Sequence, residues 1–135
     1  MNKKIIVIAS AIAIIMIVIS GTLGSTLDES VISQTIFVDA IYDPKNNLVK
    51  IMYTDDSDKT NIVTLEILGM EKTFHKEFSQ SSFIEIVQIN SAPKYGWSTM
   101  PVVFSINHDG FGKIELKTEI HQQHESKPKV IYSKI

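Results

Sequence analysis

The chain has 135 residues, with 13 Lys and no Arg, 15 Asp plus Glu, four His and no Cys. One ordinary domain fits that length, and the lack of Cys excludes disulfides, thiolate metal centres, a Cys nucleophile and an acylated lipoprotein Cys. The net charge of −2, with no guanidinium fork or basic stripe, makes nucleic acid an unsuitable partner.

Asn2-Lys3-Lys4 opens the chain, and from Ile5 to Ile19 Ser10 is the only polar side chain. Continued through Ser20, Gly21 and Thr22 to Leu23, the apolar segment has 19 residues, close to the ~20 that cross a bilayer core as a helix. No Ala-x-Ala cleavage signal follows it. The reading is therefore a cytoplasmic n-region at 1–4 and a transmembrane signal-anchor at 5–23, embedded in the lipid bilayer. Cleavage at a weaker site such as Thr22-Leu23-Gly24 or Val18-Ile19-Ser20 is the alternative, and it would give a secreted protein. Lys3 and Lys4 precede the segment, whereas Asp28 and Glu29 follow it. The positive-inside rule then places the N-terminus in the cytoplasm and residues 24–135 outside the cell membrane.

Residues 24–34 are small and polar and read as a stalk. Beyond them the hydrophobic period is that of strands. Thr35–Tyr42 and Leu48–Thr54 flank the turn sequence Asp43-Pro44-Lys45-Asn46-Asn47, where Pro presets φ and Asn tolerates left-handed geometry. Asn61–Leu68 points Val63, Leu65 and Ile67 to one side, and Thr73–Phe78 and Phe83–Asn90 follow. Pro101–Asn107 aligns Val102, Phe104 and Ile106. In Gly112–His121, Ile114, Leu116, Thr118 and Ile120 alternate with Lys113, Glu115, Lys117 and Glu119, the pattern of a strand with one wet face. Asp109-Gly110 between these last two runs predicts a hairpin. Seven strands at this spacing predict an all-β fold, an antiparallel β-sandwich over 35–121, followed by a polar C-terminal tail at 122–135.

The run of strands from Asn61 through Tyr95-Gly96-Trp97 to Ile120 resembles immunoglobulin-like and fibronectin-type-III-like surface domains. The likeness rests on strand spacing, and the Cys…Trp…Cys signature of true immunoglobulin domains is absent. It implies a sandwich that binds a partner.

Candidate sites are few. His121 and His124, with Glu125 beside them, suit Zn²⁺ or Cu²⁺ by ligand type, but they would point to opposite sides of a continued strand. A solvated tail competes with that reading. Asp55-Asp56-Ser57-Asp58 has alternate carboxylates, yet an EF-hand loop from Asp56 lacks its Gly and its final Glu. The loop Ser91–Met100 carries Tyr95 and the sole Trp, Trp97, which suit either a partner contact or a cap on the core. No nucleophile elbow or phosphate loop occurs, and no cofactor is expected. The expectation is a non-catalytic binding or accessory module at the cell envelope, its protein or glycan partner open. One alternative is an envelope metal-handling module using His121 and His124, with His75 or His108. Another is an ectodomain enzyme with no identifiable site.

Overall fold

The computed structural model describes residues 28–135. The anchor read from residues 5–23 lies outside them. Among the described residues, no helix is long and apolar enough to cross a membrane.

A short helix, α1 (Glu29–Thr35), leads directly into strand β1 (Ile36–Asp43). Asp28 caps it, accepting the Val31 N–H at 3.3 Å, which satisfies one of the amides left free at a helix start. Ile32 is buried. The stretch read as a stalk is thus folded from residue 29 onward. Its single inward Ile32 gave no helical period to read.

Strands β2 (Leu48–Asp55), β3 (Thr60–Ile67), β4 (Phe74–Phe78), β5 (Ser82–Gln88), β6 (Val102–His108) and β7 (Gly112–Thr118) follow, then β8 (His121–Gln122) and β9 (Ile131–Lys134). They form two sheets, in the orders β5-β2-β1-β8 and β4-β3-β6-β7-β9. Three antiparallel hairpins, β1–β2, β3–β4 and β6–β7, supply half of the pairing, and the antiparallel pairs β2–β5 and β3–β6 supply much of the rest. β1–β8 is a parallel pair. The expected strands are present with boundaries shifted by a residue or two, except that the run expected over Gly112–His121 ends at Thr118, and His121 belongs to β8 in the other sheet. The segment read as a polar tail differs: it adds β8 to one sheet and β9 to the other. Two and four residues are too short for a period of two to announce itself.

Alternation fixes which side of each strand is covered. Val38, Ala40 and Tyr42 of β1, and Val49, Ile51 and Tyr53 of β2, meet Val63, Leu65 and Ile67 of β3 across the sandwich. Phe104, Ile106, Ile114 and Leu116 complete the middle of this core. Burying a side chain of this size contributes about 1.5–3 kcal/mol. Tyr53 stacks on Phe83 at 5.1 Å between ring centroids, and Phe83 stacks on Phe78 at 3.8 Å, closing one side.

Candidate functional site

Three groups of chemistry-bearing residues emerge, and two of them are closed on themselves. The first joins the β2–β3 turn to the β6–β7 turn. Asp55 ends β2 with its side chain buried. Its Oδ1 accepts Ser57 N–H (2.9 Å) and Ser57 Oγ–H (2.6 Å), and its Oδ2 accepts Lys59 N–H (3.1 Å) and Thr60 Oγ1–H (2.7 Å). His108 Nε2 lies 3.0 Å from Oδ2, with the two side chains 1% and 0% exposed. Burial pushes the Asp55 carboxyl upward, but the donors from Ser57, Thr60 and Lys59 prevail and bring it down to about 2.

Ser57, His108 and Asp55 invite comparison with a nucleophile–base–acid relay, and the hydrogen bonds decide against that arrangement. His108 Nδ1 accepts two backbone amides, Gly110 N–H at 3.0 Å and Phe111 N–H at 3.1 Å. Its lone pair is therefore occupied, and the proton sits on Nε2, which donates to Asp55. Ser57 Oγ, 3.1 Å from Nε2, gives its own proton to Asp55. A relay needs a free Nε2 lone pair facing the hydroxyl. Here the trio locks two turns together. It was missed in the sequence because residues 55 and 108 meet only when β3 pairs with β6.

The second group is His121 with Asp39. His121 Nε2 lies 2.7 Å from Asp39 Oδ1, and its Nδ1 lies 2.8 Å from the Gln122 carbonyl oxygen. Each ring nitrogen thus lies against an oxygen of the protein itself, so neither faces open space where a metal ion could approach. His121 is buried, whereas His124 is exposed in the turn that Glu125 N–H closes onto Gln122 C=O. The solvated-tail reading therefore holds for His124 and not for His121, whose ring is held by a residue 82 positions earlier. His75, on β4, is exposed and lies 3.9 Å from Glu66. Among the described residues, no group of three or more His, Asp or Glu is placed to hold a metal ion.

In the Ser91–Met100 loop, Trp97 opens a 3-10 turn (Trp97–Thr99) and is half-buried against Tyr42, centroids 4.9 Å apart. Tyr95 is 79% exposed, with Lys94 over its ring at 5.6 Å. The two aromatic residues named together in the sequence thus separate, one packed on the sandwich and one in water.

The third group is a surface. On the outer side of the five-stranded sheet, the registers align Glu77, Thr64, Ser105, Glu115 and Ser133 in one row. The neighbouring row is His75, Glu66, Val103, Lys117 and Ile131. That face is mostly polar. The outer side of the four-stranded sheet aligns Asp39, Met52 and Ile84, then Ile41, Lys50 and Ile86, with Phe37, Thr54 and Ser82 above them. Phe37, Ile84 and Ile86 are 45%, 59% and 51% exposed. Alternation alone predicts polar side chains at those positions.

Comparison with protein-family models, curated proteins and solved structures finds no match to this chain.

Proposed function

We propose that this protein is a single-pass, N-terminally anchored module that displays its β-sandwich outside the cell membrane and acts by binding. The outer face of the four-stranded sheet is the contact surface. The observation that carries this reading is the group of exposed Phe37, Ile84 and Ile86, in adjacent registers with Ile41 and Met52, on the outer face of the four-stranded sheet. A contiguous apolar patch on a folded surface marks an interaction site far more often than scattered apolar residues do. The polar clusters, by contrast, spend their hydrogen-bonding capacity internally. The apolar run Ile5–Leu23 after Lys3-Lys4 supports the anchor and its orientation. The likeness of strand spacing to immunoglobulin-like and fibronectin-type-III-like domains fits the same role.

The absence of Cys makes one experiment sufficient, because each introduced thiol reports a single position. Lys117→Cys, on the outer side of the five-stranded sheet, should react with a membrane-impermeant maleimide on intact cells. Phe37→Cys should be shielded on cells and become reactive once the chain is extracted in detergent. Labelling of Lys117→Cys only after lysis would overturn the topology. Equal rates for both variants on intact cells would overturn the contact surface.

A further inference from the structure

We propose that β5 is a self-association edge, on which a second copy of this chain pairs its own β5 antiparallel to extend the four-stranded sheets into one. The proposal rests on the reading that the outer face of this sheet is the contact surface, and it names one occupant of its border. β5 ends the sheet order, and its seven residues form the longest edge strand. The other edges are less suited to pairing: β8 has two residues, β9 has four, and β4 carries His75, Lys76 and Glu77. Long apolar edges invite another strand, and short or charged ones deter it.

The hydrogen-bond phase of β5 can be read from its two ends. Ile89 N–H donates to Asn47 C=O at 3.0 Å, and Asp55 N–H donates to Ser81 C=O at 2.7 Å. Both pairs continue the β2–β5 register. Hydrogen-bonded pairs alternate along an antiparallel ladder, so residues 81, 83, 85, 87 and 89 bond to β2. Ser82, Ile84, Ile86 and Gln88 therefore direct their N–H and C=O groups to the open edge.

A two-fold axis through Glu85 uses all four of these residues on each strand. It sets Ser82 opposite Gln88, and Ile84 opposite Ile86, in hydrogen-bonded pairs with about eight ladder bonds in total. Registers centred on Ile84 or Ile86 use fewer. The same axis matches polar with polar and apolar with apolar, and it places the four isoleucines side by side on the outer face. An isologous contact of this kind closes at two copies.

One element opposes the pairing. Glu85 would face Glu85 of the second copy, and like charges directly opposite are destabilising. Lys76, reaching from β4, holds each Glu85 carboxylate at 2.6 Å and so offsets part of the charge that the two copies bring together. A seven-residue strand pair is small for a specific interface. Confinement in a membrane would raise the effective concentration of both copies.

The test uses the full chain in membranes and in detergent. Glu85→Cys should form a disulfide-linked dimer under mild oxidation, because a non-hydrogen-bonded pair brings the two Cα atoms to within disulfide range. Ile84→Cys and Ile86→Cys should crosslink poorly alone and efficiently when co-expressed. In sedimentation, Glu85→Gln should tighten the dimer severalfold and Lys76→Gln should loosen it severalfold. Ile84→Lys with Ile86→Lys should weaken it at least tenfold with an unchanged circular dichroism spectrum. A monomeric chain with no Glu85→Cys crosslink would overturn the proposal, and so would Ile84→Cys crosslinking to itself as readily as Glu85→Cys. Failure of these crosslinks while Phe37→Cys stays shielded on cells would remove the dimer and leave the contact surface standing.

Discussion

Asp55 accepts hydrogen bonds from two backbone amides and two hydroxyls and lies against His108, all in a buried corner. The network extends further. Thr60 Oγ1 gives its proton to Asp55, so the Tyr53 hydroxyl, 2.8 Å away, donates to Thr60. Burial also pushes the Tyr53 phenol up to about 12, with the Asp55 charge adding to it. A buried carboxylate this well served stabilises the fold only while it is ionised. Its pKa is about 2 in the fold against an ordinary 3.8, so its contribution is complete above roughly pH 4 and lost as pH falls through 2. The size is about 2 kcal/mol. Urea unfolding at pH 5 and pH 2 should show that difference. Asp55→Asn should be less stable already at pH 5 and should lack the Asp55 component of the acid loss.

At the scale of elements, the long loop between β5 and β6 is held by the β3–β4 turn. Leu68 N–H donates to Pro101 C=O at 3.0 Å, and Gly69 sits at φ +78°, where a Cβ would lie 2.0 Å from the Thr99 carbonyl oxygen. Gly112, at the start of β7, has φ +73° with open space around it. The pair separates two costs. Gly112→Ala bears only the left-handed strain, about 1–2 kcal/mol. Gly69→Ala bears that strain and also displaces the backbone of the loop that carries Trp97. Its destabilisation should exceed that of Gly112→Ala by at least ~1 kcal/mol, and Trp97 fluorescence should change in Gly69→Ala alone. Equal stability losses, or an unchanged Trp97 signal in Gly69→Ala, would contradict this close approach.

For the whole molecule, the last fifteen residues cross between the two sheets. β8 borders β1, where the His121–Asp39 contact fastens it, and β9 borders β7 from Ile131↔Lys117 to Lys134↔Ile114. Val130 and Tyr132 are half-buried against the core. Deleting residues 130–135 should remove about 2 kcal/mol of apolar burial and lower Tm by roughly 8–16 °C. It should also expose the β7 edge to pairing with other chains, seen as aggregation on concentration. A truncated chain with unchanged Tm would mean that β9 contributes nothing to the fold.

The period of two in residues 35–121 is a local property. Each strand with one covered face must write it into its own residues, and so Ile114, Leu116, Thr118 and Ile120 announced their inward side before any partner was known. Turn chemistry is local as well. Asn47 adopts φ 54°, as the Asn residues after Pro44 suggested. The apolar run before residue 24 likewise carries its own length and flanking charge. Tertiary structure decided what depends on distant neighbours. Asp55 and His108 are 53 positions apart, and Asp39 and His121 are 82 apart, so no spacing rule could pair them. β8 and β9 are too short to reveal themselves and are strands only because β1 and β7 offer edges. The apolar outer face follows the same logic. Ile84 and Ile86 satisfy a strand pattern as well as any others, and only the assembled sandwich, with its core already filled, shows that they face water.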